Sequence, residues 1–116
     1  MGHAAVVGLS SFAAFKGVIM RAEVLEFIKR RFSKDCDWTN GNCWWFASIL
    51  CERFADAGAE RWYCPVEGHF VTRIQGVFYD ANGIFIPLKE EKPQPWHELL
   101  YNDPIYATRL VRDCMQ

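Results

Sequence analysis

The chain has 116 residues, of which 51% are hydrophobic, and a formal net charge of -1. That length fits one compact domain with its own hydrophobic core, and the small net charge argues against nucleic acid as a partner. The five cysteines stand at irregular intervals, unlike a secreted disulfide framework, so we expect a reducing, cytoplasmic compartment. Because the cysteines and histidines also lack the paired spacing of zinc ligands, we expect no metal site.

Residues 1–19 form an apolar stretch that fits neither a signal peptide nor a membrane helix. No lysine or arginine precedes the first apolar residues to supply the basic start of a secretory signal. Gly8, Ser10 and Lys16 interrupt the apolar run, which stays shorter than the roughly 18 apolar residues of a membrane helix. We therefore divide the chain into an extension over residues 1–19 and a single domain over residues 20–116, with no membrane partner.

Two helices are predicted before the strands. Residues 21–32 carry apolar side chains on one stripe and charged side chains on the other, as an amphipathic helix does. A second helix is predicted from Cys43 to Ala57 and is expected to end at Gly58, since glycine commonly terminates helices. The apolar residues of this second helix cover nearly its whole circumference, which predicts a central and largely buried helix.

The middle of the chain changes to the two-residue period of strands. Residues 61–66 are predicted to form an edge strand, because Pro65 cannot donate a ladder hydrogen bond. Residues 69–75 and 77–80 predict a hairpin with a two-residue loop at Gln75-Gly76, and residues 84–88 predict a further strand.

The last third of the sequence predicts a charged loop and two short helices. Residues 89–92, with two lysines and two glutamates, are expected to be solvated surface. Pro95 is expected to open one helix, and Asp103-Pro104 to cap another over residues 105–114. The inward residues of the first of these helices are predicted to be Trp96, Leu99 and Leu100. The order of helices, strands and helices predicts an α+β fold in which a buried central helix packs on a small antiparallel sheet.

Cys43 stands where a thiol can become reactive. The polar turn Asn40-Gly41-Asn42 leads directly into the predicted helix, so Cys43 falls on its first turn. Unsatisfied backbone N–H groups and the positive end of the helix dipole favour the thiolate there and lower the cysteine pKa. Cys43 is therefore the candidate nucleophile.

A base for this thiol is expected at His69, which begins the predicted hairpin. If Ile74 pairs with Val77 across a two-residue loop, Asp80 lies diagonal to His69 on the same face, and Asn82 lies directly opposite His69. Asp80 is the expected orienting residue for the imidazole, with Asn82 as the alternative. We expect the buried helix to cover the face of the sheet that bears His69.

These motifs resemble a known superfamily. Asn-Gly-Asn-Cys-aromatic-aromatic at residues 40–45, Gly-His-Phe-Val at 68–71 and Phe-Tyr-Asp at 78–80 look like the papain-like cysteine peptidases. The order Cys, His, Asp is similar to that of the papain, transglutaminase and arylamine N-acetyltransferase branches. Taken together, the motifs are most similar to those of small phage or bacterial papain-like proteins grouped near the NlpC/P60 peptidases. The resemblance implies Cys43 as nucleophile, His69 as general base and then acid, and Asp80 as orienter.

The resemblance has two departures. NlpC/P60 enzymes commonly place another polar residue, often histidine, where Asp80 stands, and papain-like enzymes place a glutamine six residues before the cysteine, where this chain has Asp37. An ionised aspartate cannot donate a hydrogen bond, so the oxyanion hole is expected from the Cys43 N–H and the side-chain amide of Asn42 or Asn40. The expected function is a cysteine hydrolase or acyltransferase that acts on a peptide, amide or acyl substrate without a cofactor.

Plainer interpretations remain beside this one. Buried cysteines are usually small core residues, and Asp80 can simply form an Asx-turn with the residues that follow it. The other four cysteines are interpreted as structural, because none has a base nearby in the sequence. The alternative function is a catalytically inactive binding or phage accessory module on the same scaffold.

Overall fold

The structure of the protein is a computed structural model that describes residues 20–32, 38 and 41–115. The predicted extension over residues 1–19 and the candidate Asn40 lie outside these residues. The first helix, α1, occupies residues 20–31 of the described part, and its residues Val24 and Ile28 are buried in the hydrophobic core. The amphipathic pattern of this segment therefore predicted its burial correctly.

Five antiparallel strands form one open sheet. They are β1 (Glu60–Cys64), β2 (His69–Ile74), β3 (Val77–Asp80), β4 (Gly83–Ile84) and β5 (Gln94–Pro95), in the spatial order β4-β3-β2-β1-β5. Four helices occur in the described residues, and the predicted α+β class with a small antiparallel sheet is confirmed.

Two strand predictions are wrong in detail. β1 lies between β2 and β5 rather than at an edge, and it ends at Cys64, so Pro65 falls in the turn that follows. β4 contains only Gly83 and Ile84, although the Phe85 N–H still donates to the Phe78 carbonyl at 2.8 Å. Pro87 offers no N–H with which to continue the ladder, and the chain leaves the sheet before it.

The second helix, α2 (Cys43–Arg53), packs on one face of the sheet. The Thr72 hydroxyl donates to the Ala47 carbonyl at 3.2 Å, and the Trp44 ring meets the Phe70 ring at 5.0 Å between centroids. Trp45 is 48% exposed, so the prediction of nearly all-round burial is wrong and one face alone is buried. The buried residues of the helix are Cys43, Phe46, Ala47 and Leu50.

The second helix was predicted to stop at Gly58. In the structure a short 3-10 turn over Ala55–Ala57 follows the helix, and Gly58 then adopts a φ of 77°. This left-handed backbone is accessible to glycine at little cost, so the chain can reverse there. The prediction that the second helix runs unbroken to Ala57 is wrong only in its last turn, because the α-helical hydrogen bonding ends at Arg53.

Two C-terminal helices complete the fold, α3 (Trp96–Asn102) and α4 (Pro104–Cys114). The Asp103 carboxylate accepts the Tyr106 N–H at 3.1 Å, which confirms the predicted cap of α4. Leu100 is 44% exposed, so its predicted inward position is wrong, whereas Trp96 and Leu99 are buried. Among the described residues, no helix has the length and apolar character needed to cross a membrane.

Candidate functional site

Cys43 is the first residue of α2 and is only 2% exposed. Asn42 precedes it as the N-cap residue, and the Asn42 carbonyl accepts the Phe46 N–H at 3.1 Å, which starts the helical ladder. The Cys43 Sγ accepts the backbone N–H of Phe70 at 3.5 Å. The sulfur of α2 therefore touches the main chain of β2 directly after His69.

The end of β3 explains why this N–H is available to sulfur. Ile74 pairs with Val77 around the two-residue loop, as the sequence predicted, so the N–H groups of alternate β2 residues, Phe70 among them, point toward β3. The register would pair Phe70 with Ala81, but β3 ends at Asp80 and Ala81 lies in a turn. The Phe70 N–H therefore has no partner in β3 and donates to the Cys43 sulfur instead.

The structure brings His69 and Asp80 together. The His69 Nε2 lies 3.4 Å from the Asp80 Oδ2, and each residue is 8% exposed. The other carboxylate oxygen, Oδ1, accepts the Asn82 N–H at 2.8 Å. Asp80 therefore forms the Asx-turn and contacts the imidazole at the same time.

Asn82 does not take the position predicted for it. Its side chain is exposed, and its contact is through the backbone N–H that it donates to Asp80. The reason is local, because residues 81–82 form the tight turn between β3 and β4 and cannot continue the strand opposite His69. The predicted position of Asn82 opposite His69 in the strand is therefore wrong.

The helix covers the opposite face of the sheet from the one predicted. Phe70 and Thr72 contact α2, so His69, their neighbour in an alternating strand, projects to the other face. On that face the Phe85 ring lies 5.4 Å from the His69 ring between centroids. The segment that leaves β4, rather than α2, shields the imidazole.

A disulfide joins Cys43 to Cys114, the last residue of α4, with their Cα atoms 6.2 Å apart. The two residues are 71 positions apart in the sequence, and Cys114 was interpreted from the sequence as a structural cysteine. The expectation that Cys43 presents an unbonded thiol is therefore corrected. In this disulfide-bonded state the described contacts include no hydrogen bond between the Cys43 sulfur and His69.

The described cysteines outside the disulfide are poor nucleophiles. Burial raises the pKa of Cys51 to about 11, although Arg61 and Thr72 act to lower it. Burial, together with the charges of Glu91 and Glu67, raises the pKa of Cys64 to about 12. Neither thiol ionises appreciably at neutral pH, so Cys43 is the sulfur of chemical interest in the described chain.

Glu91 is buried although the sequence predicted a solvated charge run. Its carboxylate accepts the N–H groups of Val66 at 3.0 Å, Glu67 at 2.8 Å and Lys92 at 3.0 Å. Burial acts to raise the Glu91 pKa, but these three donors outweigh it and hold the pKa below its ordinary value. The turn between β1 and β2 has N–H groups outside the ladder, and this carboxylate satisfies two of them.

One group of described residues offers metal-ligating atoms. One atom each of Cys64, Glu67 and Glu91 lies within 4.8 Å of the others. The Glu91 oxygens already accept three backbone N–H groups, so this carboxylate is committed to the turn and we assign no metal centre here. Sequence reasoning missed the group because Glu91 lies 24 positions beyond Glu67.

The chain matches the model of a known protein family. A family model described as Phage YunG-like protein matches residues 24–112, a span that includes Cys43, His69 and Asp80. No curated protein and no solved structure gives a significant match. Because the matched span is well over half of the 116-residue chain, the chain belongs to the Phage YunG-like family.

Proposed function

We propose that this protein is a cysteine hydrolase or acyltransferase with a papain-like core, which forms a thioester on Cys43. One observation carries the proposal. The Cys43 sulfur contacts the N–H of Phe70, the residue that follows His69, and His69 contacts the Asp80 carboxylate. These two contacts support a proposal in which Cys43 is the nucleophile, His69 the base and Asp80 the orienting carboxylate.

The contact of Asp80 with one ring nitrogen of His69 supports the same roles. Asp80 contacts Nε2, so Nδ1 is the ring nitrogen left to accept a thiol proton. Nδ1 is the ring nitrogen closer to its own main chain, and the sulfur lies against that main chain at Phe70. The proposal requires that, once the disulfide is reduced, the Cys43 side chain and the His69 ring reorient so that the sulfur and Nδ1 meet.

The mechanism begins with the reduced protein. His69 Nδ1 takes the proton of the Cys43 thiol, and the thiolate attacks the carbonyl carbon of an amide, isopeptide or acyl donor. Backbone N–H groups at the start of α2, where the helix leaves donors unused, hold the oxyanion, with the Asn42 amide as the nearby side chain. His69 then gives its proton to the leaving amine, and water or an acyl acceptor attacks the thioester. This chemistry requires no metal or organic cofactor.

Cellular location belongs to the same proposal. A thiol that must be unbonded to act requires a reducing compartment, so we infer a cytoplasmic site of action. A phage or bacterial setting agrees with the family match.

The disulfide favours a second candidate function, an inactive binding or accessory module on the same scaffold. Cys43 is 2% exposed and is bonded to Cys114, and the β1–β2 end of the sheet is closed over by the loop that holds Glu91. In that case the disulfide serves only to fasten α4 to α2.

Alkylation kinetics separate the two candidates. The full chain is reduced with dithiothreitol, freed of reductant under argon and treated with iodoacetamide at pH 6, and each cysteine is followed by peptide mass spectrometry. If the protein is a hydrolase, iodoacetamide should alkylate Cys43 about tenfold or more faster than Cys51 or Cys64, because His69 activates the Cys43 thiol while burial keeps the other two thiols protonated. The variant His69→Ala should lose this selectivity, and the exposed His97→Ala should keep it. Equal, slow labelling of all three would leave the binding module as the better account.

A further inference from the structure

A groove separate from the Cys43 site lies between α2, β1 and α3. Its volume is about 470 Å³, within the range of small-molecule sites in proteins. The residues that matter to its chemistry are Ser48, Cys51 and Glu52 of α2, Arg61 of β1, and Trp96 and His97 of α3. No part of the mechanism above uses these residues.

Arg61 is held in a fixed orientation at this groove. One of its terminal nitrogens donates to the Ser48 hydroxyl at 3.3 Å, and its guanidinium carbon lies 4.7 Å from the centroid of the Trp44 ring. A guanidinium packed over a ring still has N–H donors that a ligand can reach. The side chain therefore loses little conformational freedom when it binds an anion.

No carboxylate of the described residues lies within 4.0 Å of the Arg61 guanidinium. Glu60 is adjacent in sequence, but its carboxylate accepts the Trp62 indole N–H at 3.2 Å. Because side chains alternate along a strand, Glu60 and Trp62 share the face opposite to Arg61. Glu60 also lines the groove, but its carboxylate binds Trp62, so the Arg61 guanidinium has no ion-pair partner there among the described residues.

The geometry points to a binding site in this groove for the carboxylate of a small organic ligand, with Arg61 as the anion-binding residue. The planar fork of a guanidinium matches the two oxygens of a carboxylate. A single arginine, with Glu52 and Glu60 also at the groove, suits one negative charge better than the two of a phosphate. Trp96 supplies an apolar wall for the rest of the ligand. This assignment does not depend on the reactivity of Cys43.

Nuclear magnetic resonance of the ¹⁵N-labelled full chain tests this site. The probe is N-acetyl-L-alanine, and its neutral methylamide is the matched control ligand. The acid should give saturable shifts of the Arg61 Nε–H and Trp96 indole signals, and the amide should bind about tenfold or more weakly, since it lacks the charge-assisted hydrogen bonds. Equal binding of acid and amide, or tighter binding of inorganic phosphate, would overturn the assignment.

Variants locate the site. Arg61→Gln should abolish the ligand-induced shift of the Trp96 indole signal, and Ser48→Ala should weaken binding a few-fold because the guanidinium loses one hydrogen bond. Arg73→Gln is the matched control, since Arg73 also stacks on aromatic rings, those of Trp62 and Phe78, but on the other face of the sheet. The amide spectrum of each variant reports whether it is folded. Loss of binding in Arg73→Gln, or normal binding in a folded Arg61→Gln variant, would show that the carboxylate binds elsewhere. Either result would refute the proposal.

Discussion

The Asp80 carboxylate contacts the imidazole of His69 with one oxygen and fixes its own position with the other. Oδ2 lies 3.4 Å from Nε2, while Oδ1 accepts the N–H of Asn82 at 2.8 Å. Because the second hydrogen bond belongs to the turn between β3 and β4, a local turn sequence determines where the carboxylate meets the imidazole. Structural and proposed catalytic roles therefore fall on different atoms of one side chain and can be separated by substitution.

The variant Asp80→Asn should keep the fold and lose reactivity. Its side-chain oxygen can still accept the Asn82 N–H, but the amide carries no charge to stabilise a protonated His69. We expect the alkylation rate of reduced Cys43 at pH 6 to fall about tenfold or more, with little change in the midpoint of urea unfolding. Asp80→Ala should lower the rate similarly and also destabilise the protein by about 1 kcal/mol. An unchanged alkylation rate in Asp80→Asn would remove Asp80 from the proposed site.

The disulfide should control both stability and access to Cys43. Its ends are 71 positions apart, and closing a loop of that length contributes about 4 kcal/mol by the chain-entropy estimate. Oxidised wild-type protein should therefore unfold at a higher urea concentration than reduced protein, and should resist alkylation at Cys43. Cys114→Ser should unfold like reduced wild type and should be alkylated at Cys43 without reductant. Identical unfolding of oxidised and reduced wild type would show that the disulfide does not form in solution.

The buried Glu91 should make stability depend on pH. Its pKa is lowered in the folded state, so the unfolded chain binds the proton more tightly. The stabilisation from Glu91 is present above the ordinary glutamate pKa of about 4.3 and is lost as pH falls through the lower, folded value.

We expect Glu91→Gln to destabilise the protein by about 2 kcal/mol at pH 7, with the difference from wild type shrinking below pH 4. Urea unfolding across that pH range measures the difference. The exposed neighbour Glu90→Gln is the control and should change stability by less than about 0.5 kcal/mol. A pH-independent loss in Glu91→Gln would mean that the ionised carboxylate is not what holds the turn.

Thr72 should contribute to the attachment of α2 to the sheet. It is fully buried, and its hydroxyl donates to the Ala47 carbonyl at 3.2 Å. Thr72→Val keeps the shape and removes the donor, so we expect a loss of about 1 kcal/mol in the free energy of unfolding. Thr108→Val is the matched control, because the Thr108 hydroxyl makes a similar bond to the Pro104 carbonyl at an exposed position. Equal losses in the two variants would argue against a special role for the buried bond.

Sequence reasoning succeeded where a short segment determines its own geometry. Gln75 and Gly76 adopt φ angles of 50° and 84°, the backbone that a two-residue hairpin loop requires. This loop sets the register of the strands that follow, and the register in turn predicts that Asp80 lies diagonal to His69. The Asp103 cap and the stop at Gly58 were predicted for the same reason.

The sequence by itself thus determined the α+β class, the hairpin and the pairing of His69 with Asp80, since turns and strand alternation act over a few residues. Tertiary structure alone decided the bond from Cys43 to Cys114, the burial of Glu91 and the face on which α2 lies. Those features depend on which distant elements pack together, and packing is governed by the complementary shapes of whole faces rather than by any local pattern. The same packing places Arg61 at the groove between α2, β1 and α3, and no motif in the sequence indicates this site.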